Sequence, residues 1–131
     1  MTKQLILEQN EHHFELAMPG RERWELIRGT SYSPLESVVA AAGACAGYVY
    51  QDILTNSKLA AEVMKVEVDY ATHEGDVHAL MALDVHFYVQ ASEAELEKAR
   101  RYVKFVHRYC PVIQSLREDI EINDHVHWVE E

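Results

Sequence analysis

Residues 33–48 read SPLESVVAAAGACAGY, and this stretch decides the fold because it predicts a helix without a polar face. Ser33 suits the N-cap, Pro34 suits the first helical position, and Glu36 completes a capping box three residues after the serine. Residues 38–50 are almost all apolar or small. A helix that is apolar on every side is expected to be buried on every side.

Alternating apolar and polar residues predict strands before and after this helix. The predicted strands are residues 4–8, 13–18, 24–27, 64–70, 81–90 and 120–128, the last being one or two strands. A Pro19–Gly20 turn joins two of them into a hairpin. The two long central strands are expected to form an antiparallel pair.

A second helical region follows the long strands. Ser92 and Glu95 have the spacing of a capping box, which predicts that a helix begins there. Its apolar stripe with three-four spacing consists of Leu96, Ala99, Val103, Val106 and Cys110. Pro111 ends this pattern and predicts a new short helix over residues 111–117.

The order of these elements predicts an α+β fold, with antiparallel sheets packed on a long buried central helix, in one domain over residues 1–131. Gly43 and Gly47 lie four residues apart and predict close packing along one face of that helix. Because a single sheet covers only one side of a helix, we expect a partner subunit to cover the other side.

The composition limits the partners and the compartment. The chain has 131 residues, of which 48% are apolar, and its formal charge of −10 argues against electrostatic binding of nucleic acid or anionic lipid. No apolar run approaches the ~20 residues that span a membrane, and residues 1–13 lack the apolar core of a signal peptide. We therefore expect a cytoplasmic protein, where disulfides are mostly transient and redox-active.

The two cysteines lie in different sequence contexts. Cys110 is placed at an N-cap, where backbone N–H groups and the neighbouring His107 and Arg108 favour a thiolate. The alternative is that Cys110 is a small buried residue that ends an apolar stripe. Cys45 falls among alanines in the middle of a helix, where burial would raise its pKa and make it inert unless a charged group reaches it.

The eight histidines raise the question of a metal site. His12 and His13 are adjacent and face opposite ways on a strand, whereas His125 and His127 share a strand face and are able to chelate. None of the histidines has HExxH or another zinc-binding spacing. A histidine metal site is therefore the weakest hypothesis, and we expect neither a metal nor a cofactor.

Two motifs together resemble those of a known family. The stretch at residues 33–48 places Pro34 eleven residues before Cys45, and CPVIQSL at residues 110–116 opens a second helix with a Cys-Pro pair. This combination resembles the OsmC/Ohr family of thiol-dependent peroxidases, and the resemblance covers residues 33 to about 122. Leu35 stands where the peroxidase branch carries its active carboxylate, which makes the chain more similar to the less characterised OsmC-like branch.

The resemblance implies an intertwined homodimer and a peroxidase that reduces organic hydroperoxides in the oxidative stress response. It implies that Cys45 attacks the peroxide and that Cys110 then forms a disulfide with it. It further implies an activating carboxylate and arginine, for which Glu36 and Arg28 are the candidates. Arg21 and Arg23 are the other arginines of the region.

The reductant implied by the resemblance is a dihydrolipoamide-like dithiol. Glu36 stands one residue after the family position and is thus rotated about 100° around the helix. This departure motivates an alternative, in which the protein is a non-enzymatic OsmC-like member that binds a small apolar ligand or senses oxidants between subunits.

Overall fold

The computed structural model describes residues 2–18, 20, 22–27, 29 and 31–130. The predicted turn residue Pro19 and the predicted site residue Arg28 lie outside these described residues, as does Arg21. The chain divides into two compact units, Met1–Val38 and Val39–Glu131. No helix in the described part of the chain is long and apolar enough to cross a membrane.

The first unit contains a three-stranded antiparallel sheet. Its strands are β1 (Leu7–Asn10), β2 (His13–Leu16) and β3 (Trp24–Glu25), in the order β1-β2-β3. Glu11 and His12 join β1 to β2 with positive φ angles of 49° and 71°, as a two-residue hairpin turn requires. This tight hairpin was not predicted. The predicted pairing of the next two strands is confirmed, because β2 and β3 are antiparallel. The first strand begins later than residues 4–8 suggested.

Helix α1 runs from Pro34 to Asn56 and begins where the capping box predicts. The Glu36 N–H donates a hydrogen bond to Ser33 Oγ at 3.1 Å, and the Ser33 N–H donates one to Glu36 Oε1 at 3.1 Å. These reciprocal bonds satisfy two N–H groups that the helix itself leaves unpaired.

The second unit contains a mixed sheet, which corrects the expectation of purely antiparallel sheets. Strands β4 (Glu62–Thr72) and β5 (Leu80–Gln90) pair antiparallel as predicted, but β6 (Glu121–Val129) pairs parallel to β5. Parallel neighbours need a long crossover connection. The chain provides it with α2 (Glu93–Tyr102), a 3₁₀ turn (Val103–Phe105), α3 (Val106–Tyr109) and α4 (Pro111–Gln114).

The capping box predicted at Ser92 is not formed as such, although α2 begins at Glu93. The Ser92 hydroxyl donates to Glu95 Oε1 at 3.1 Å, and Glu95 Oε2 accepts the Ala60 N–H at 2.8 Å. The Glu95 carboxylate, which was predicted to cap α2, therefore accepts the backbone N–H of Ala60, a residue remote in sequence.

One face of α1 packs closely against the sheet of the second unit. Tyr50 meets Phe87 edge to face at 4.9 Å between ring centroids, and both side chains are fully buried. A Cβ atom at Gly43 would lie 2.7 Å from Val68 Cγ2, so only glycine permits this approach. The close packing predicted from the two glycines is confirmed.

Burial of α1 on all sides, however, is not found within the single chain. Tyr48 is 77% exposed and Val38 is 38% exposed, and the alanines at positions 40, 41 and 44 are exposed as well. The sheet covers one side of the helix, and none of the described residues covers the opposite apolar side.

Candidate functional site

The two cysteines, remote in sequence, are neighbours in the second unit. Cys45 lies on α1 and packs against the core cluster that contains Cys110, which is the residue between α3 and α4. Both are free thiols, and Cys45 is close enough to Cys110 to raise the pKa of the Cys110 thiol. Cys110 is completely buried, whereas Cys45 is partly exposed. Only one member of the pair is therefore open to a molecule from solution.

The environment of Cys110 favours the protonated thiol. Burial raises its pKa above the ordinary value of 9.0, and the nearby Cys45 thiol acts in the same direction. The backbone N–H groups of Ile113 and Val112 oppose this shift without reversing it. Of the two interpretations of Cys110, the small buried residue matches the structure, because Cys110 is completely buried although it is the N-cap of the four-residue helix α4.

His107, which was expected to place a positive charge next to Cys110, is paired with Asp124 instead. His107 Nε2 lies 2.7 Å from Asp124 Oδ2, in the geometry of an ion pair rather than an aligned hydrogen bond. Burial raises the pKa of Asp124, and the charge and hydrogen bonding of His107 oppose this rise. Asp124 Oδ1 is buried without a hydrogen-bond partner among the described residues.

Sequence reasoning did not identify Asp124, although the strand pattern contains a signal for it. Asp124 occupies the same face of β6 as Ile122 and Val126, both of which pack on the core. An aspartate on the apolar face of a predicted strand indicates a buried charge that needs a partner.

A cleft in the second unit is lined by residues that are close in sequence to the two cysteines, although neither cysteine lines it. Its apolar lining is Val49, Ile53, Phe105 and Tyr109, and its polar lining is Asp52, Asn56, Ser57 and Arg108. Val49 follows Cys45 by one helical turn on α1, and Tyr109 directly precedes Cys110. The cleft thus offers an apolar surface and a few polar groups to a small molecule.

The predicted activating residues are not brought to this pair by any described contact. The Glu36 carboxylate caps α1, as described above. Arg23 binds Glu8 at 2.7 Å between Nη2 and Oε1, which raises the pKa of its guanidinium. Arg28 lies outside the described residues, so its predicted role stays a prediction.

The histidines predicted to share a strand face do so, together with a third from the neighbouring strand. The His86 ring stacks on His125 at 4.6 Å and on His127 at 5.1 Å between centroids. Two of the three contact carboxylates, His125 with Asp84 at 3.2 Å and His86 with Asp69 at 3.1 Å, and His86 Nδ1 lies 2.9 Å from His127 Nε2. This arrangement is a stack of paired imidazoles rather than a convergent set of metal ligands.

Comparison with known proteins identifies a family model that matches most of the chain. Residues 28–123 match the family model described as OsmC-like protein. No protein with a curated function matches the chain in sequence.

Solved structures with similar folds cover nearly the whole chain. An OsmC-like protein from Mycoplasma pneumoniae is 16% identical, with a TM-score of 0.73 over 98% of this chain and 99% of that one. An OsmC-like protein of unknown function from Vibrio cholerae is 12% identical, with a TM-score of 0.76 over 96% and 99%. The organic hydroperoxide resistance protein of Bacillus subtilis is 15% identical, with a TM-score of 0.64 over 96% and 98%.

Proposed function

Because this chain belongs to the OsmC-like protein family, we propose that it reduces organic hydroperoxides through a thiol–disulfide cycle of Cys45 and Cys110. The observation that carries the proposal is the contact between a partly exposed and a fully buried free thiol. The structural likeness to proteins named for organic hydroperoxide resistance supports the substrate class.

The first step is an attack of the Cys45 thiolate on the terminal oxygen of the hydroperoxide. The S–O bond forms as the O–O bond breaks, the alcohol leaves with one added proton, and Cys45 becomes a sulfenic acid. Cys45 is the proposed attacker because it is the accessible member of the pair. The apolar lining of the cleft suits the organic part of the substrate.

The second step is an attack of Cys110 on the Cys45 sulfur. The disulfide forms, and the sulfenic hydroxyl leaves as water with the proton of the Cys110 thiol. The contact between the side chains supports this order, because a resolving thiol needs proximity to the sulfenic acid but no access for the substrate. A dihydrolipoamide-like dithiol then reduces the disulfide and is itself oxidised to a disulfide.

The protein is further proposed to act as a homodimer in the cytoplasm. The uncovered apolar side of α1, with Tyr48 77% exposed, supports a second subunit there. Free cysteines are consistent with a reducing compartment.

The proposal is tested by hydroperoxide consumption with a dithiol reductant. Cys45→Ser is expected to abolish turnover of cumene hydroperoxide, because it removes the sulfur that is oxidised. Cys110→Ser is expected to allow one stoichiometric oxidation of Cys45 and no disulfide. Wild-type protein that consumes no hydroperoxide and keeps both thiols after treatment would refute the cycle.

Glu36 and Arg28 are the proposed activating pair, and Glu36→Gln separates catalysis from capping. The amide oxygen of glutamine still accepts the Ser33 N–H, so the stability should change by less than about 0.5 kcal/mol. A loss of the carboxylate charge should lower the peroxidase rate about tenfold or more. Full activity of the variant would leave Glu36 with capping as its only role.

The cleft also supports the alternative of a non-enzymatic protein that binds a small apolar ligand or senses oxidants. Its lining is predominantly apolar at Val49, Ile53 and Phe105. Leu35→Glu distinguishes the two functions, since it restores the carboxylate at the family position. A large gain in peroxidase rate would favour the alternative, whereas robust and unchanged activity would favour the enzyme.

A further inference from the structure

We propose that His13, Glu15 and Glu25 form a binding site for a divalent transition-metal ion of the zinc type on the sheet of the first unit. The inference is independent of the peroxidase proposal, because the three residues belong to the unit Met1–Val38 and the cysteines to the other. The site combines one imidazole with two carboxylates.

The strand geometry directs the three side chains to one place. His13 and Glu15 are two residues apart on β2 and therefore share a face of the sheet. Glu15 is directly opposite Glu25 in the antiparallel register of β2 and β3. One potential ligand atom from each of the three lies within 4.8 Å of the other two.

The distance between the first two ligand atoms is long for a hydrogen bond and is compatible with metal coordination. His13 Nε2 lies 3.4 Å from Glu15 Oε2. Hydrogen bonds between nitrogen and oxygen are mostly 2.7–3.2 Å long, so about 3.4 Å is a poor one. Ligands that are about 2.1 Å from a tetrahedral zinc ion lie about 3.4 Å from one another.

The charges of the cluster also call for a cation. The Glu15 side chain is only 7% exposed, and it faces a second carboxylate directly across the strands. Like charges at such positions destabilise a sheet unless they are compensated. Arg23 compensates weakly, since its Nε is 3.8 Å from Glu15 Oε1 while its Nη2 binds Glu8 at 2.7 Å.

The donor set indicates the class of ion. Imidazole favours zinc and neighbouring transition metals over magnesium and calcium, which prefer oxygen ligands alone. Two carboxylates neutralise a divalent ion, and three protein ligands leave one tetrahedral position for water. The stacked histidines of the second unit have no comparable set, because two of them already pair with Asp69 and Asp84.

The test is titration of the full-length wild-type protein with Zn²⁺ by calorimetry and with Co²⁺ by absorption spectroscopy. We expect one ion per chain and a Co²⁺ spectrum without sulfur-to-cobalt charge transfer. His13→Asn and Glu25→Gln should each weaken binding by roughly 100-fold or more, since even residues behind the ligands contribute 10–100-fold. Glu25 is exposed, so its substitution is not expected to disturb folding.

His12→Asn is the matched control. His12 precedes His13 at a positive φ of 71°, which asparagine tolerates, and it is not part of the cluster. The variant should bind Zn²⁺ with wild-type affinity. Unchanged affinity in His13→Asn and Glu25→Gln, equal loss in His12→Asn, a sulfur charge-transfer band, or no binding by the wild type would each overturn the site.

Discussion

At the scale of single residues, exposure distinguishes two otherwise similar thiols. Cys110 is completely buried and burial raises the pKa of its thiol, whereas Cys45 is partly exposed. The local context had favoured the opposite, because it placed Cys110 at a helix start and Cys45 among alanines. Burial by residues remote in sequence decides between them.

This division predicts selective alkylation. In the folded protein, iodoacetamide should modify Cys45 well before Cys110, as measured by peptide mass spectrometry over a pH series. Because the folded pKa of Cys110 is raised above 9.0, its thiolate fraction stays small at neutral pH and increases only as the pH exceeds that value. Denatured protein provides the control, in which both cysteines should react alike. Faster labelling of Cys110 in the native state would contradict the assignment.

At the scale of elements, the smooth face of α1 sets how close the helix lies to β4. Gly43 and Gly47 are both on that face, but a Cβ would approach Val68 Cγ2 to 2.7 Å at the first and Val66 Cγ2 to 3.1 Å at the second. Valine is stiff at χ1 and cannot easily move aside. The first contact therefore demands a shift of the helix or the strand, and the second only a small adjustment.

Gly43→Ala should consequently destabilise the protein by about 1 kcal/mol. Overpacking costs about 2 kcal/mol, and the higher helix propensity of alanine recovers about 1 kcal/mol of that. Gly47→Ala is the matched control and should remain close to wild type. Urea unfolding followed by circular dichroism measures both. A Gly43→Ala variant that is as stable as Gly47→Ala would show that the helix has room to move.

The start of α1, which depends on local contacts, was predicted correctly, whereas the cap at Ser92 and the pairing of β6, which depend on contacts remote in sequence, were not. The start of α1 depends on two residues three apart, and both capping bonds form. The same pattern at Ser92 failed because Glu95 accepts the N–H of Ala60 instead. Strand β6 was predicted as a strand, but its parallel pairing depends on the path of the preceding helices, which alternation does not encode.

At the scale of the whole molecule, the uncovered side of α1 is the surface where a second subunit is proposed. Tyr48→Glu should convert the protein to a species with the mass of a single chain, measured by light scattering after size exclusion, because a charge would be buried in the interface. Val77→Glu is the matched control, since Val77 is 75% exposed and Tyr48 is 77% exposed, and it should not change the mass. A monomeric wild type, or a dimer in both variants, would argue against α1 as the interface.

The sequence by itself determined the two long strands β4 and β5, the capped start of α1 and the resemblance to the family whose model matches residues 28–123, because each depends on residues close together in the chain. Only the tertiary structure decided which thiol is buried, how β6 pairs and where the charges of His107 and Asp124 meet. Desolvation and ion pairing depend on atoms from segments far apart in the chain, and no local pattern records those distances.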